Sequence, residues 1–183
     1  MAYALKHERV NGEVSLAELV AAAQGGDRAA FAQLYARFAR MVHGAVLARV
    51  PPAEARDLVQ DVFLIALKRI KTVREPEAFG GWLLMIARNR ATDYHRRSRP
   101  AEELQAETTG AAAPPTAEAM EVLAVIHGLP EAYRETLVLR LVEGMSGPEI
   151  AEETGMTAAS ARVNLCRGMK LLREALGLEG GGQ

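Results

Sequence analysis

The chain of 183 residues contains a single cysteine, Cys166. That excludes an internal disulfide and any metal site built on several thiolates. Aromatic residues are scarce at 5%, with one tryptophan and four phenylalanines. Sheets draw on aromatic and β-branched side chains, so a composition rich in alanine and leucine favours helices instead. No stretch approaches the ~18 consecutive apolar residues that a membrane-spanning helix requires. The start lacks a basic segment followed by an apolar one, so no secretion signal is expected. The expectation is a reduced, cytoplasmic protein without direct membrane insertion. An excess of one charge is missing too: the formal net charge is −1, which argues against a uniformly basic coat for nucleic acid.

Locally the balance differs. Residues 62–99 carry nine Lys or Arg against three acids, a net of +6. A basic segment in a near-neutral chain fits regulated contact with a polyanion, although many charge runs are only solvated faces.

Along the chain, residues 1–14 read as a flexible arm. Ser15 with Glu18 is a capping-box signature for a first helix, LAELVAAAQ, stopped by Gly25-Gly26. Asp27 suits the cap of a second helix with Phe31, Leu34, Tyr35 and Phe38 at helical spacing. Pro51-Pro52 break the chain before ARDLVQDVFLIALKRI, whose closing Lys68, Arg69 and Lys71 complement a helix dipole. A loop, TVREPEAFGG, leads into a fourth helix, and the pattern then vanishes. PAEELQAETTGAAAPPT (100–116) has turn and linker composition without large apolar periodicity. Its seventeen residues reach at most about 56 Å, roughly sixteen base pairs of duplex. Helical periodicity resumes up to Leu176, divided at Gly128-Leu129-Pro130 and Gly144. The predicted organisation is an all-α fold: an arm (1–14), a helical domain (15–99), a flexible linker (100–118), a second helical domain (119–178) and a disordered tail (179–183).

Two segments carry chemistry. The first is FGGWLLMIARNRATDYHRR (79–97). At 100° per residue Leu83, Ile86, Ala87, Ala91 and Tyr94 gather on one face, the predicted core side. Trp82 falls in a different arc with Met85, Asn89, Thr92 and Arg96. An aromatic, an amide and cations on one surface suit a flat, negatively charged ligand, while the indole would equally suit a core edge. The second is MSGPEIAEETGMTAASARVNLCRGMKLL (145–172), with the anatomy of a helix-turn-helix. Ser146 and Glu149 frame a capping box around Pro148. Gly155 sits where the turn demands positive φ, and Thr157 caps the second helix. Such a helix reads base edges in the major groove while its cations grip phosphates.

Taken together, the segments resemble a bacterial RNA polymerase sigma factor of the sigma-70 family, extracytoplasmic-function (ECF) group, in order and spacing over most of residues 16–176. GGDRAAFAQLYARF (25–38) is similar to the family's region 2.1 and DLVQDVFLIAL (57–67) to region 2.2. FGGWLLMIARNRATDYHRR is similar to regions 2.3 and 2.4, and residues 129–176 to region 4. The resemblance implies that Asp57, Leu58, Gln60, Asp61, Phe63 and Leu64 face core RNA polymerase, docking on its β′ clamp with further contact to β. It implies that Lys71, Arg74, Phe79, Trp82, Met85, Arg88, Asn89, Arg90, Arg96 and Arg97 meet the promoter −10 element. There Trp82 and Phe79 would supply aromatic faces for unstacked bases, Asn89 a hydrogen bond to a base, and the arginines phosphate contacts. The loop from Lys71 to Phe79 lies where the family traps a flipped base. Thr157, Ser160, Arg162, Asn164 and Arg167 would face the −35 element. Ala161, Val163, Asn164 and Cys166 depart from the family's usual residues, which leaves the −35 preference open. An anti-sigma protein as inhibitor is also implied.

Asp57 and Asp61 lie one turn apart and would also suit metal or acid–base chemistry. His43, His95 and Cys166 form no recognisable triad or zinc site, so neither catalysis nor a cofactor is expected. Two rival readings make different predictions. A stand-alone transcription regulator would bind its operator without polymerase. A pure protein-interaction module would have no use for DNA in its second half.

Overall fold

The computed structural model describes residues 14–98 and 116–178, and in these residues the regular structure is entirely helical. The arm at 1–13, most of the linker (99–115) and the tail at 179–183 lie outside the described residues.

The N-terminal bundle comprises α1 (Leu16–Gln24), α2 (Arg28–Leu47), α3 (Pro52–Arg69) and α4 (Phe79–Ser98). Three of these starts have a local cause. The Ser15 hydroxyl accepts from the Glu18 amide while the Glu18 carboxylate accepts from the Ser15 amide, satisfying two otherwise orphaned donors. The Asp27 carboxylate accepts from the amides of Ala29 and Ala30. Pro52 opens α3, where its missing N–H is no loss. Two 3-10 turns, Ile70–Thr72 and Pro76–Ala78, carry the chain from α3 into α4.

The C-terminal bundle comprises α5 (Ala117–Gly128), α6 (Glu131–Leu141), α7 (Gly147–Thr154) and α8 (Ala158–Ala175). The expected helix-turn-helix forms from α7 and α8. Ser146 and Glu149 close their capping box, Gly155 takes φ +73° in the turn, and the Thr157 hydroxyl accepts from the Ser160 amide. Gly168 lets α8 approach α6 closely: a Cβ there would lie 3.1 Å from Leu137 Cγ.

The buried apolar side chains of both bundles form one continuous core, from Leu19 through Leu34, Phe38, Leu83 and Leu84 to Leu137, Leu139, Ile150 and Leu172. Full burial of such a side chain is worth about 1.5–3 kcal/mol. α6 packs on α2, and α7 packs on α2 and α4. Gly44 and Gly80 are points of close approach. A Cβ on Gly44 would lie 2.6 Å from Leu139 Cδ2, and one on Gly80 would lie 2.1 Å from the Glu153 carbonyl oxygen. The sequence alone left the relative placement of the bundles open.

Candidate nucleic-acid and polymerase interface

α4 presents the expected two-sided character. Leu83, Ala87 and Ala91 are fully buried and Ile86 nearly so. Met85, Asn89, Thr92 and Arg96 are exposed along the opposite stripe, with Trp82 half-buried at its head. From Trp82 to Arg96 the stripe runs about 21 Å at 1.5 Å per residue. Phe79 departs from expectation. It is 0% exposed, tilted against Phe38 at 5.3 Å and Trp82 at 5.6 Å between ring centroids. As the first residue of α4 it points inward and supports the indole, so it offers no stacking face for a base.

The expected phosphate-holding arginines separate into two groups. Arg96 and Arg97 are exposed, and Arg96 pairs with Asp93 one turn back at 2.9 Å. Such an exposed pair is weak enough to yield to a phosphate. Arg90 turns toward α3 and pairs with Asp61, its side chain only 20% exposed. That joins a residue expected at DNA to one expected at polymerase and makes both internal struts. Arg88 reaches across to α6 and forks onto Glu135, Nε to Oε2 at 3.2 Å and Nη2 to Oε1 at 2.8 Å. The hydrogen bond to Glu135 raises the Arg88 pKa further above its ordinary value.

Lys71 and Arg74 are exposed on the loop between α3 and α4. This loop is anchored by a residue that sequence reasoning missed. Gln24, at the end of α1, donates through Nε2 to the carbonyls of Ile70 at 3.0 Å and Val73 at 2.8 Å. A glutamine just before two glycines gives no local hint of partners some fifty residues on.

On α3, Asp57, Gln60 and Leu64 are exposed along one face, and Asp61 is half-buried. Leu58 and Phe63, expected at polymerase, are instead core residues at 6% and 5% exposure. Their spacing puts them on the side that faces α2, where the Phe63 ring lies 4.4 Å from that of Tyr35. The outer apolar surface is supplied by Leu64 and by Leu67, which are 54% and 48% exposed. Leu67 was legible as the i+3 neighbour of Leu64 but was not singled out by the sequence.

On α8, Arg162 and Arg167 are exposed and Asn164 is half-exposed. The Thr157 hydroxyl is committed to its cap and donates to Ser160 Oγ at 2.8 Å, so these two serve first as the helix start. Ala161 is fully buried while Val163 is 39% exposed, so the outward apolar group at this helix start is Val163. Among the described residues no cluster of His, Cys, Asp and Glu could hold a metal ion, and no helix is long and apolar enough to cross a membrane.

Comparison with known proteins agrees with this layout. Residues 34–100 match the family model for Sigma-70 region 2, and residues 119–172 that for Sigma-70 region 4. The RNA polymerase sigma factor CarQ of Myxococcus xanthus is 34% identical over 161 residues, covering 83% of this chain and 92% of that protein. The ECF RNA polymerase sigma-E factor of Escherichia coli K12 is 31% identical over 167 residues, covering 81% and 87%. Among solved structures, CnrH in complex with the cytosolic domain of CnrY aligns with a TM-score of 0.59 and 26% identity, over 88% of this chain and 97% of that one.

Proposed function

The chain belongs to the sigma-70 family as an ECF sigma factor, and from that premise we propose how its surfaces divide the work of initiation. It is a non-enzymatic specificity subunit that acts beside core RNA polymerase in the cell interior. The α3 face formed by Asp57, Gln60, Leu64 and Leu67 docks on polymerase, its exposed leucines supplying the apolar centre of an interface. The α8 start, through Arg162, Asn164 and Arg167, reads the −35 element from the major groove. The α4 stripe and the loop bearing Lys71 and Arg74 receive the −10 element. There Trp82 offers a face to an unstacked base, Asn89 a donor and acceptor, and Arg96 and Arg97 hold phosphates.

The observation that carries this reading is the α4 stripe itself. An indole, a thioether, an amide and a guanidinium stand on the solvent side of a helix whose opposite side buries Leu83, Ile86, Ala87 and Ala91. A packing helix has no need of that surface. CnrH is solved in complex with the cytosolic domain of CnrY, and an anti-sigma partner that masks these same faces is the expected control here.

The test is association of the purified chain with core polymerase, followed by run-off transcription from a library of genomic promoter fragments. Tight association with promoter-specific transcripts is the expected result. No association, together with operator binding by the protein alone, would replace this reading with that of a stand-alone regulator.

A further inference from the structure

The outward face of α8 is defined by what lies opposite it. Ala161, Gly168 and Leu172 are buried, and a Cβ at Gly168 would meet Leu137 and Tyr133 of α6, so that side of the helix is fixed by packing. At 100° per residue the opposite line runs through Ala159, Val163 and Cys166, spaced i, i+4 and i+7. All three are exposed, Val163 at 39%. Arg162 and Arg167, also exposed, stand about 70° to either side of that line. The surface that α8 turns away from its own bundle is therefore apolar along the crest and cationic on both flanks.

The polar groups at the start of the helix are engaged or placed elsewhere. The Thr157 hydroxyl accepts from the Ser160 amide at 3.1 Å and donates to Ser160 Oγ at 2.8 Å. Asn164 is half-exposed and lies roughly a third of a turn round from the crest. No acid occurs on α8 before Glu174, so the flanking arginines are not neutralised by their own helix. That charge favours a polyanion over an apolar protein partner on this face. From Ala159 to Cys166 the crest spans about 10 Å, which is about three base-pair steps at ~3.4 Å.

A helix in the major groove turns its outermost line to the base edges and its flanks to the phosphate walls. On the groove floor the thymine C5-methyl is the one alkyl group, set among hydrogen-bond donors and acceptors. A valine above that methyl removes apolar surface from water. The same valine above a cytosine amino group would take a donor out of water and give it no acceptor. We propose that Val163 reads a thymine of the −35 element through its C5-methyl group, with Arg162 and Arg167 gripping phosphates on either side. This rests on the assignment of α8 to the −35 element and adds a specificity-determining residue to it. Because Val163 neither donates nor accepts, its discrimination follows the methyl and is indifferent to the pairing edge of the base.

The experiment uses holoenzyme and a promoter mapped by the run-off assay. Each thymine of the −35 segment, on either strand, is replaced in turn by uracil, which lacks only the C5-methyl. Affinity is read by competition against the unmodified duplex. At one position uracil is expected to weaken binding by about fourfold, the value of one buried methyl or methylene group. Val163→Ala should weaken binding of the thymine duplex and bring the thymine-to-uracil ratio at that position close to one. Val163→Thr, which keeps a methyl on Cβ, should preserve the ratio. Arg162→Ala should weaken both duplexes alike and leave the ratio as it was. Equal affinity for thymine and uracil at every −35 position overturns the proposal, as does a −35 segment without an A·T pair. A ratio unchanged in Val163→Ala overturns it too, by assigning the methyl contact to another residue. Absence of promoter-specific transcripts in the run-off assay would instead overturn the sigma-factor reading beneath it.

Discussion

Replacing Trp82 separates packing from promoter melting. The indole is half-buried and rests on Phe79, which in turn rests on Phe38. A tryptophan buries about 150–250 Å² when enclosed, so half of one is about 100 Å², worth about 2.5 kcal/mol at ~25 cal/mol per Å². Trp82→Ala therefore mixes a loss of stability with any loss of DNA contact. Trp82→Leu retains much of the inner apolar contact and removes the π-face. A stacked base is worth about 1–3 kcal/mol, which corresponds to a loss of roughly 5- to 150-fold in open complex. The assay is permanganate reactivity of unpaired thymines in the holoenzyme on a mapped promoter, compared with the same promoter carrying a pre-opened −10 bubble. Trp82→Leu is expected to open the duplex template poorly and to recover substantially on the bubble, with Trp82→Phe intermediate. Wild-type opening of the duplex by Trp82→Leu would refute a stacking role. Equal loss on both templates, with reduced polymerase association, would assign the residue to packing.

Other expectations follow from local geometry. At Gly155 no atom lies near a would-be Cβ, so the strain on substitution comes from φ +73° alone; Gly155→Ala should lose about 1–2 kcal/mol in urea denaturation and Gly155→Asn less. Gly168→Val should destabilise by about 1–3 kcal/mol through overpacking against Leu137 and Tyr133, and an unchanged urea midpoint would count against close α6–α8 contact. Burial raises the pKa of Glu153 above the ordinary carboxylate value, so its favourable contribution is complete below that value and lost as pH rises through the raised one. Glu153→Gln should therefore raise the melting temperature at neutral pH and lose that advantage in acid. Glu149 has the opposite sign, because hydrogen bonds from Ser146 hold its carboxylate below the ordinary value; stability linked to it falls as pH drops through that lowered value, and Glu149→Gln should flatten the acid limb. Gln24→Ala should speed hydrogen exchange at Lys71 to Glu75 without changing that of α4, and unaltered loop exchange would remove Gln24 as the anchor.

Local chemistry made much of this molecule legible in advance. The capping pairs Ser15–Glu18 and Ser146–Glu149, the caps at Asp27 and Thr157 and the turn at Gly155 all depend on groups within three or four residues of one another. The core side of α4 followed from period alone, because a helix that buries Leu83 must bury Ala87 and Ala91 as well. The errors have a common origin. Phe79, Leu58 and Phe63 were expected on working surfaces and lie in the core. Residues beside a functional stripe share its motif but point inward, and a motif does not record direction.

The sequence by itself determined the all-helical class, the capped starts at Ser15, Asp27, Ser146 and Thr157, the helix-turn-helix and the membership of both halves in one family, since each rests on spacing along the chain. Tertiary structure alone decided that Gln24 holds the loop before α4, that Arg90 is a strut to Asp61, and that Glu135 closes on Arg49 and Arg88. These partners lie tens of residues apart, and an arginine's long side chain reaches equally well to water, phosphate or carboxylate. Which anion it holds is settled by the helix packed beside it, and that packing is set at Gly44 and Gly80, where a missing side chain makes room for another bundle.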